Sequence, residues 1–200
     1  MKIDETLYRR IFERHHARLH HLEVPHPKVV VTFSAIAGSG KTTLAKAIEA
    51  RYGAVRVSND HIRRIIDELN LGLEPVAKQQ LLEQYLFKLF EYLAEQPNGL
   101  ILLDSSIDRK YFEVRDGVTP LGYRVVLIKI SLPRRELERR IRVRDKSRTN
   151  AEAYLNEFDR WTADHRRLAS RVKPDVTLTD DYNFDFTSIY AFLDRLVEPC

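Results

Sequence analysis

Two hydrophobic rhythms alternate along this chain. Short runs dominated by β-branched and aliphatic residues occur at 29–33, 54–58, 99–106, 123–131 and 175–179. Runs of that length read as buried strands. Between them the apolar positions recur at helical spacing. Leu7, Ile11, Phe12, Leu19 and Leu22 do so within 4–22, and Leu44, Ala47 and Ile48 within 40–51. Ile62, Ile65, Ile66 and Leu69 follow the second run, and Leu82, Leu86, Leu89 and Leu93 line one side of 75–96. Tyr154, Phe158, Trp161 and Leu168 fall within 150–170, and Phe186, Ile189, Phe192, Leu193 and Leu196 form a closing helix. Five strands alternating with helices predict an α/β fold: one parallel sheet covered on both faces, with right-handed connections.

The punctuation agrees with these elements. VPHP at 24–27 should stop the first helix, Pro97, Asn98 and Gly99 close the long one, and Pro133 can start another because its missing N–H is not needed there. Residues 109–117 read as a short basic crossover. Tyr154, Phe158 and Trp161 are spaced as a core or hinge stripe, a reading favoured over a base-stacking platform. His15, His16, His20 and His21 lie on an Arg-rich helix with no carboxylate or cysteine at a metal-site spacing, so they read as solvated surface groups.

With 200 residues, 44% hydrophobic and 31% charged, the composition is that of a soluble globular protein with a substantial core. No apolar run is long enough to span a membrane, and the start lacks the apolar centre of a secretory signal. The single cysteine, Cys200, cannot form an internal disulfide, so a cytoplasmic location is expected. The net charge of +4 is localised: residues 134–148 hold eight Arg or Lys against three acids. Nucleic-acid binding therefore does not follow from the basic balance.

Candidate chemistry is concentrated between the first strand and the next helix. AIAGSGKT, residues 35–42, fits G-x-x-x-x-G-K-[ST] except that Ala35 stands at the first glycine. Glycines at 38 and 40 let the backbone turn sharply and aim N–H groups at an anion, and the following helix points its N-terminus at the same spot. Gly38, Ser39, Gly40, Lys41, Thr42 and Thr43 are the candidate nucleotide contacts. Lys41 would reach the β- and γ-phosphates of ATP, and Thr42 would ligate Mg²⁺. Ala35 costs little provided its φ is negative.

Three further groups complete the candidate site. Asp60 and Arg63 lie three apart at the start of the helix after the second strand, where an acceptor should sit. Asp60 could orient and deprotonate a hydroxyl, and Arg63 could hold a neighbouring anion. Asp104 ends an apolar strand and could hold a Mg²⁺-bound water opposite Thr42. Arg140 and Arg144 share one face of a helix whose apolar stripe is only Leu137 and Ile141, so that helix should be mobile and ordered by polyphosphate.

AIAGSGKTTLA, SNDHIR at 58–63, ILLDSS at 101–106 and RRIRVR at 139–144 together resemble the nucleoside-monophosphate-kinase-like group of P-loop kinases. Within it the chain is most similar to polynucleotide-kinase-like and predicted small-molecule kinases. The resemblance covers about residues 28–197. It implies sheet order 2-3-1-4-5, an N-terminal helical extension at 1–27 outside the kinase domain at 28–200, and an arginine-rich lid at about 133–150. It implies ATP-dependent transfer of a γ-phosphoryl group to an alcohol hydroxyl of a small molecule, with Arg140 and Arg144 as lid arginines. The Asp-x-x-Arg spacing also resembles adenylylsulfate kinases and toxin-type kinases acting on sugar nucleotides. A polynucleotide 5′-hydroxyl kinase is an alternative, a nucleic-acid partner being admitted but not favoured. An ATPase switch or a nucleotide-dependent interaction module are the readings from other classes. An N/T-K-x-D guanine-reading segment is missing after the fourth strand, which speaks against GTP.

Overall fold

A computed structural model describes residues 3–144, 148–179 and 185–197. Five strands, β1 (His26–Ala35), β2 (Val55–Ser58), β3 (Asn98–Ser106), β4 (Arg124–Ile130) and β5 (Val176–Leu178), form one sheet in the order β2-β3-β1-β4-β5. Every pairing is parallel, with β1 central between β3 and β4. This is the 2-3-1-4-5 order implied by the kinase resemblance. The near-continuous apolar character of β1 and β3 follows from their position, because a central parallel strand is covered on both faces.

Side-chain alternation divides the core. Val30, Ile101 and Leu103 face one layer, built by α1 (Glu5–His16), α3 (Asn59–Glu68), α4 (Pro75–Ala94) and α5 (Tyr111–Val118). Val31, Phe33, Leu100 and Leu102 face the other, where Leu44 and Ile48 of α2 (Lys41–Tyr52) meet Ile189 and Leu193 of α9 (Thr187–Val197). A small third cluster joins Leu137 and Ile141 of α6 (Arg134–Arg144) to Phe158 of α8 (Phe158–Ala169), with α7 (Arg148–Asn156) between them. Among the described residues no helix is long and apolar enough to cross a membrane.

Several boundaries differ from the sequence reading. The first helix stops at His16, six residues before Leu22. The chain then turns to enter the sheet: Asn98 Nδ2 donates to the carbonyls of His21 and Gly53, both at 2.7 Å, while the Asn98 N–H donates to the Leu22 carbonyl. The basic crossover contains α5, and the stretch 150–170 is two helices broken at Glu157. The histidines also separate. His15 is buried, not solvated, with Nδ1 2.9 Å from the Tyr85 hydroxyl; burial first, then the neighbouring His61 and His16, pull its pKa down to about 4. His16 Nε2 lies 3.2 Å from the Tyr92 hydroxyl, and His20 lies outside the helix.

Candidate active site

β1 ends at Ala35, and the chain runs through a tight loop into α2. Among the described non-glycine residues only His21 and Asn70 have positive φ, so Ala35 carries no strain that a glycine would relieve. Gly38 and Gly40 do, at 83° and 90°. Gly40 is the N-cap of α2, and it has no side chain to accept from the first-turn amides. Those donors and the positive end of the helix dipole therefore point at the loop's concavity, the usual seat of a phosphate.

The charge at the loop is balanced from within. Asp104, at the carboxyl end of β3 with its side chain 2% exposed, accepts from Lys41 Nζ at 2.9 Å and Thr42 Oγ1 at 3.1 Å through Oδ1. Its Oδ2 accepts from Arg56 Nη1 at 3.2 Å. Arg56 stands on β2 one position along from Val55 and is held in turn by Glu49, whose Oε2 accepts from Nε at 2.6 Å. Burial works against the Arg56 cation, but hydrogen bonding and charge from Glu49, with Asp104 behind them, raise its pKa above the ordinary value. A buried carboxylate with three cationic or hydroxyl donors is fully satisfied.

All the residues assigned from the sequence line one cleft of about 1050 Å³. Gly38, Ser39, Gly40, Lys41, Thr42, Thr43 and Asp104 form its phosphate-loop side. Asp60 and Arg63 lie on α3, where Arg63 Nη1 donates to Asp60 Oδ1 at 2.9 Å and the Asp60 side chain is 83% exposed. Asp60 is thus on the surface of the cleft and not a helix cap. Ser58 holds the N-cap position without a side-chain bond, and Asn59 Nδ2 donates to Ser105 Oγ at 3.0 Å instead.

Arg140 and Arg144 overhang the same space, but α6 is less loosely attached than its thin stripe suggests. Leu137 and Ile141 are fully buried against Ile36 and Ala37 of the phosphate loop. A Cβ added at Gly38 would come to 2.9 Å from the Leu137 carbonyl oxygen and 3.0 Å from Ile141 Cγ1, so glycine is needed there for contact as well as for φ. Arg140 Nε donates to Glu136 Oε1 at 2.6 Å, and Arg139 grips both oxygens of the same carboxylate. Hydrogen bonds from Arg139 and Arg140 hold the Glu136 pKa down to about 2. Arg144 lies 4.8 Å over the Tyr154 ring, which in turn is 5.8 Å from that of Trp161. Of the aromatic stripe, then, only Phe158 is core; Tyr154 and Trp161 line the cleft.

Two features were missed in the sequence reading. Arg56 is one. The other is Asp108, which accepts from Ser34 Oγ at 2.5 Å and Ser106 Oγ at 2.8 Å and sits 3.5 Å from His165 Nδ1 of α8. Burial would raise its pKa, but the bonds from His165, Ser34 and Ser106 outweigh that and lower it. This cluster, with Arg109 paired to Asp164 at 3.4 Å, ties α8 to the end of β3. A Ser, an Asp and a His separated by as many as 131 positions carry no local signal.

A profile of the family described as an AAA domain matches residues 30–168, from the middle of β1 to near the end of α8. That match spans more than half of the chain. The protein belongs to this AAA-domain family. It is a P-loop domain, and nucleotide binding follows from that membership. No curated protein sequence matches this chain. Solved structures that it resembles include the APS kinase CysC of Mycobacterium tuberculosis in complex with AMPPNP and APS (18% identity, 84% of this chain and 96% of that one, TM-score 0.53). Others are a shikimate kinase from Bacteroides thetaiotaomicron (13%, 86% and 98%, 0.54) and the PezAT toxin–antitoxin system of Streptococcus pneumoniae (15%, 98% and 89%, 0.59). At these identities the likeness shows that the AAA-domain protein shares a P-loop kinase-like fold.

Proposed function

We propose that this protein transfers the γ-phosphoryl group of ATP to an alcohol hydroxyl of a small molecule. The observation that carries the reading is the pairing, across one cleft, of a phosphate loop whose Lys41 and Thr42 meet buried Asp104 with the exposed Asp60–Arg63 pair. Lys41 and the loop amides hold the β- and γ-phosphates, and Arg140 and Arg144 meet charge that develops on the transferring group. The Asp60 carboxylate takes the proton as the acceptor O–H bond breaks and the new O–P bond forms. The old bond to the β-phosphate breaks with its electron pair going to ADP. Arg63 orients the acceptor.

Thr42 and Asp104 fit Mg²⁺: both offer hard oxygen donors, and the hydroxyl already shares a carboxylate oxygen at 3.1 Å. When bound, the ion neutralises charge on the β- and γ-oxygens. A small acceptor is favoured over a polynucleotide because Asp60, Glu83, Asp108, Glu113 and Asp164 line the cleft among its basic groups, a poor surface for a phosphate backbone. The exposed Asp60, with no use in a simple ATPase switch, favours a kinase over that reading.

Asp60→Asn tests the assignment. The substitution keeps shape and removes the charge that draws the proton, so transfer to a saturating acceptor should fall by about 100-fold or more while ATP still binds. Pre-steady-state transfer measured by product mass decides it, and a wild-type rate in the variant would remove Asp60 from the mechanism.

A further inference from the structure

The acceptor end of the cleft has its own construction. Gln79, Glu83 and Phe87 follow one another at intervals of four on α4 and so share one helix face, which lines the cleft together with Leu86 and Phe90. Phe87 is 39% exposed there. Among the described residues five large apolar side chains are exposed, and three of them, Phe87, Val143 and Tyr154, line this one cleft. An uncovered aromatic ring inside a concave site marks where an apolar ligand surface belongs.

The ring is also seated. Gly117 lies inside α5, and a Cβ there would fall 2.1 Å from Phe87 Cε1 and 2.9 Å from Cδ1. Phe87 therefore rests directly on the α5 backbone, in a place that only a glycine leaves open. Gly117 is the penultimate residue of α5, and its bare backbone is what leaves room for the ring.

The neighbouring polar end is acidic. Glu83 Oε1 accepts from Gln79 Nε2 at 2.6 Å and closely from Lys110 Nζ. Burial opposes the charge, but the bonds from Lys110 and Gln79 prevail and lower the Glu83 pKa, so it stays an anionic acceptor. Lys110 offsets that charge only in part, because its ammonium is shared with Glu113 at 3.9 Å. Such an acceptor suits an N–H edge and disfavours an anion.

Resting on the kinase reading above, we infer that the acceptor is an alcohol carried on a planar, uncharged ring with N–H groups at its edge, the chemistry of a nucleoside. The ring face lies on Phe87 and its edge meets Glu83 and Gln79. The hydroxyl then extends toward Asp60 and the phosphate loop along the same cleft. A polyol or sugar acid would leave Phe87 uncovered.

The test reads binding without ATP. Adenosine, guanosine, cytidine and uridine are titrated against the full chain by saturation-transfer NMR, with ribose and gluconate as ring-free controls. At least one nucleoside should bind more tightly than ribose, with saturation strongest on its base protons. Phe87→Ala should weaken that binding by about tenfold or more, the scale of a lost stacking partner. Phe87→Tyr should restore it to within about threefold, and Gly117→Ala, which pushes the ring from its seat, should weaken it while Phe87 remains. No nucleoside binding above ribose, or an unchanged affinity in Phe87→Ala, overturns the inference. ATP-dependent product mass is read separately: nucleoside binding without transfer removes the kinase reading and leaves the seat. Transfer to a ring-free alcohol that ignores Phe87→Ala removes the seat and leaves the kinase.

Discussion

Gly38→Ala should destabilise the protein and do so through the contact with α6. Two costs add. At φ 83° an L residue is left-handed, worth about 1–2 kcal/mol against the usual helix-handed region. The new methyl would also stand 2.9 Å from the Leu137 carbonyl oxygen and 3.0 Å from Ile141 Cγ1, and the first is helix backbone that moves only if α6 moves. Overpacking of that kind costs about 1–3 kcal/mol, giving a total of roughly 2–5 kcal/mol. Urea unfolding followed by circular dichroism at fixed pH measures the loss, and Trp161 fluorescence reports on the cleft wall it lines. The steric share is isolated by a double-mutant cycle with Ile141→Ala, which removes one of the two obstructing atoms and leaves φ untouched. A coupling of about 0.5 kcal/mol or more is expected, because the two sites touch. A loss below about 0.5 kcal/mol for Gly38→Ala, or perfectly additive variants, would refute the close docking of α6 on the phosphate loop.

Lys41→Ala should abolish most ATP turnover while the fold survives, since Asp104 keeps Thr42 and Arg56 as partners; unchanged turnover at both limiting and saturating ATP would remove the loop assignment. His15 gives a pH signature. Its folded-state pKa is lowered from 6.5 to about 4, so the unfolded chain takes the proton first, and the stability that is full above pH 6.5 is lost as pH falls toward 4. Between pH 7 and pH 5 that amounts to about 2 kcal/mol, and His15→Gln should lack it in urea titrations at the two pH values; equal slopes would show that His15 is not the group.

What could be read from the sequence was local or periodic. The phosphate loop sits within nine residues and Asp60 and Arg63 within one helical turn, so spacing alone carried them. Strand positions were legible because β1 and β3 are buried on both faces and therefore continuously apolar. Arg56 is a polar residue in a short strand, and nothing nearby announces that its guanidinium crosses to Asp104 forty-eight positions on. Asp108 and His165 meet only because α8 returns to the end of β3. The docking of α6 was underestimated for a related reason: two apolar residues look insufficient until the loop opposite them is known to present Ile36, Ala37 and a bare glycine. The His15 burial depends on α1 lying over Tyr85, a contact seventy residues away.

Asp104 makes the phosphate loop electrically quiet. Lys41 is paired with Asp104, so an anion that binds Lys41 exchanges one partner for another. A single small anion gains little from such an exchange, whereas a triphosphate would meet several loop amides at once. If Lys41 turned to a ligand, Asp104 would still be held by Arg56, which is fixed from behind by Glu49, and its Oδ1 would be left next to Thr42. The relay would then couple phosphate binding to the release of a hard oxygen donor beside the Thr42 hydroxyl.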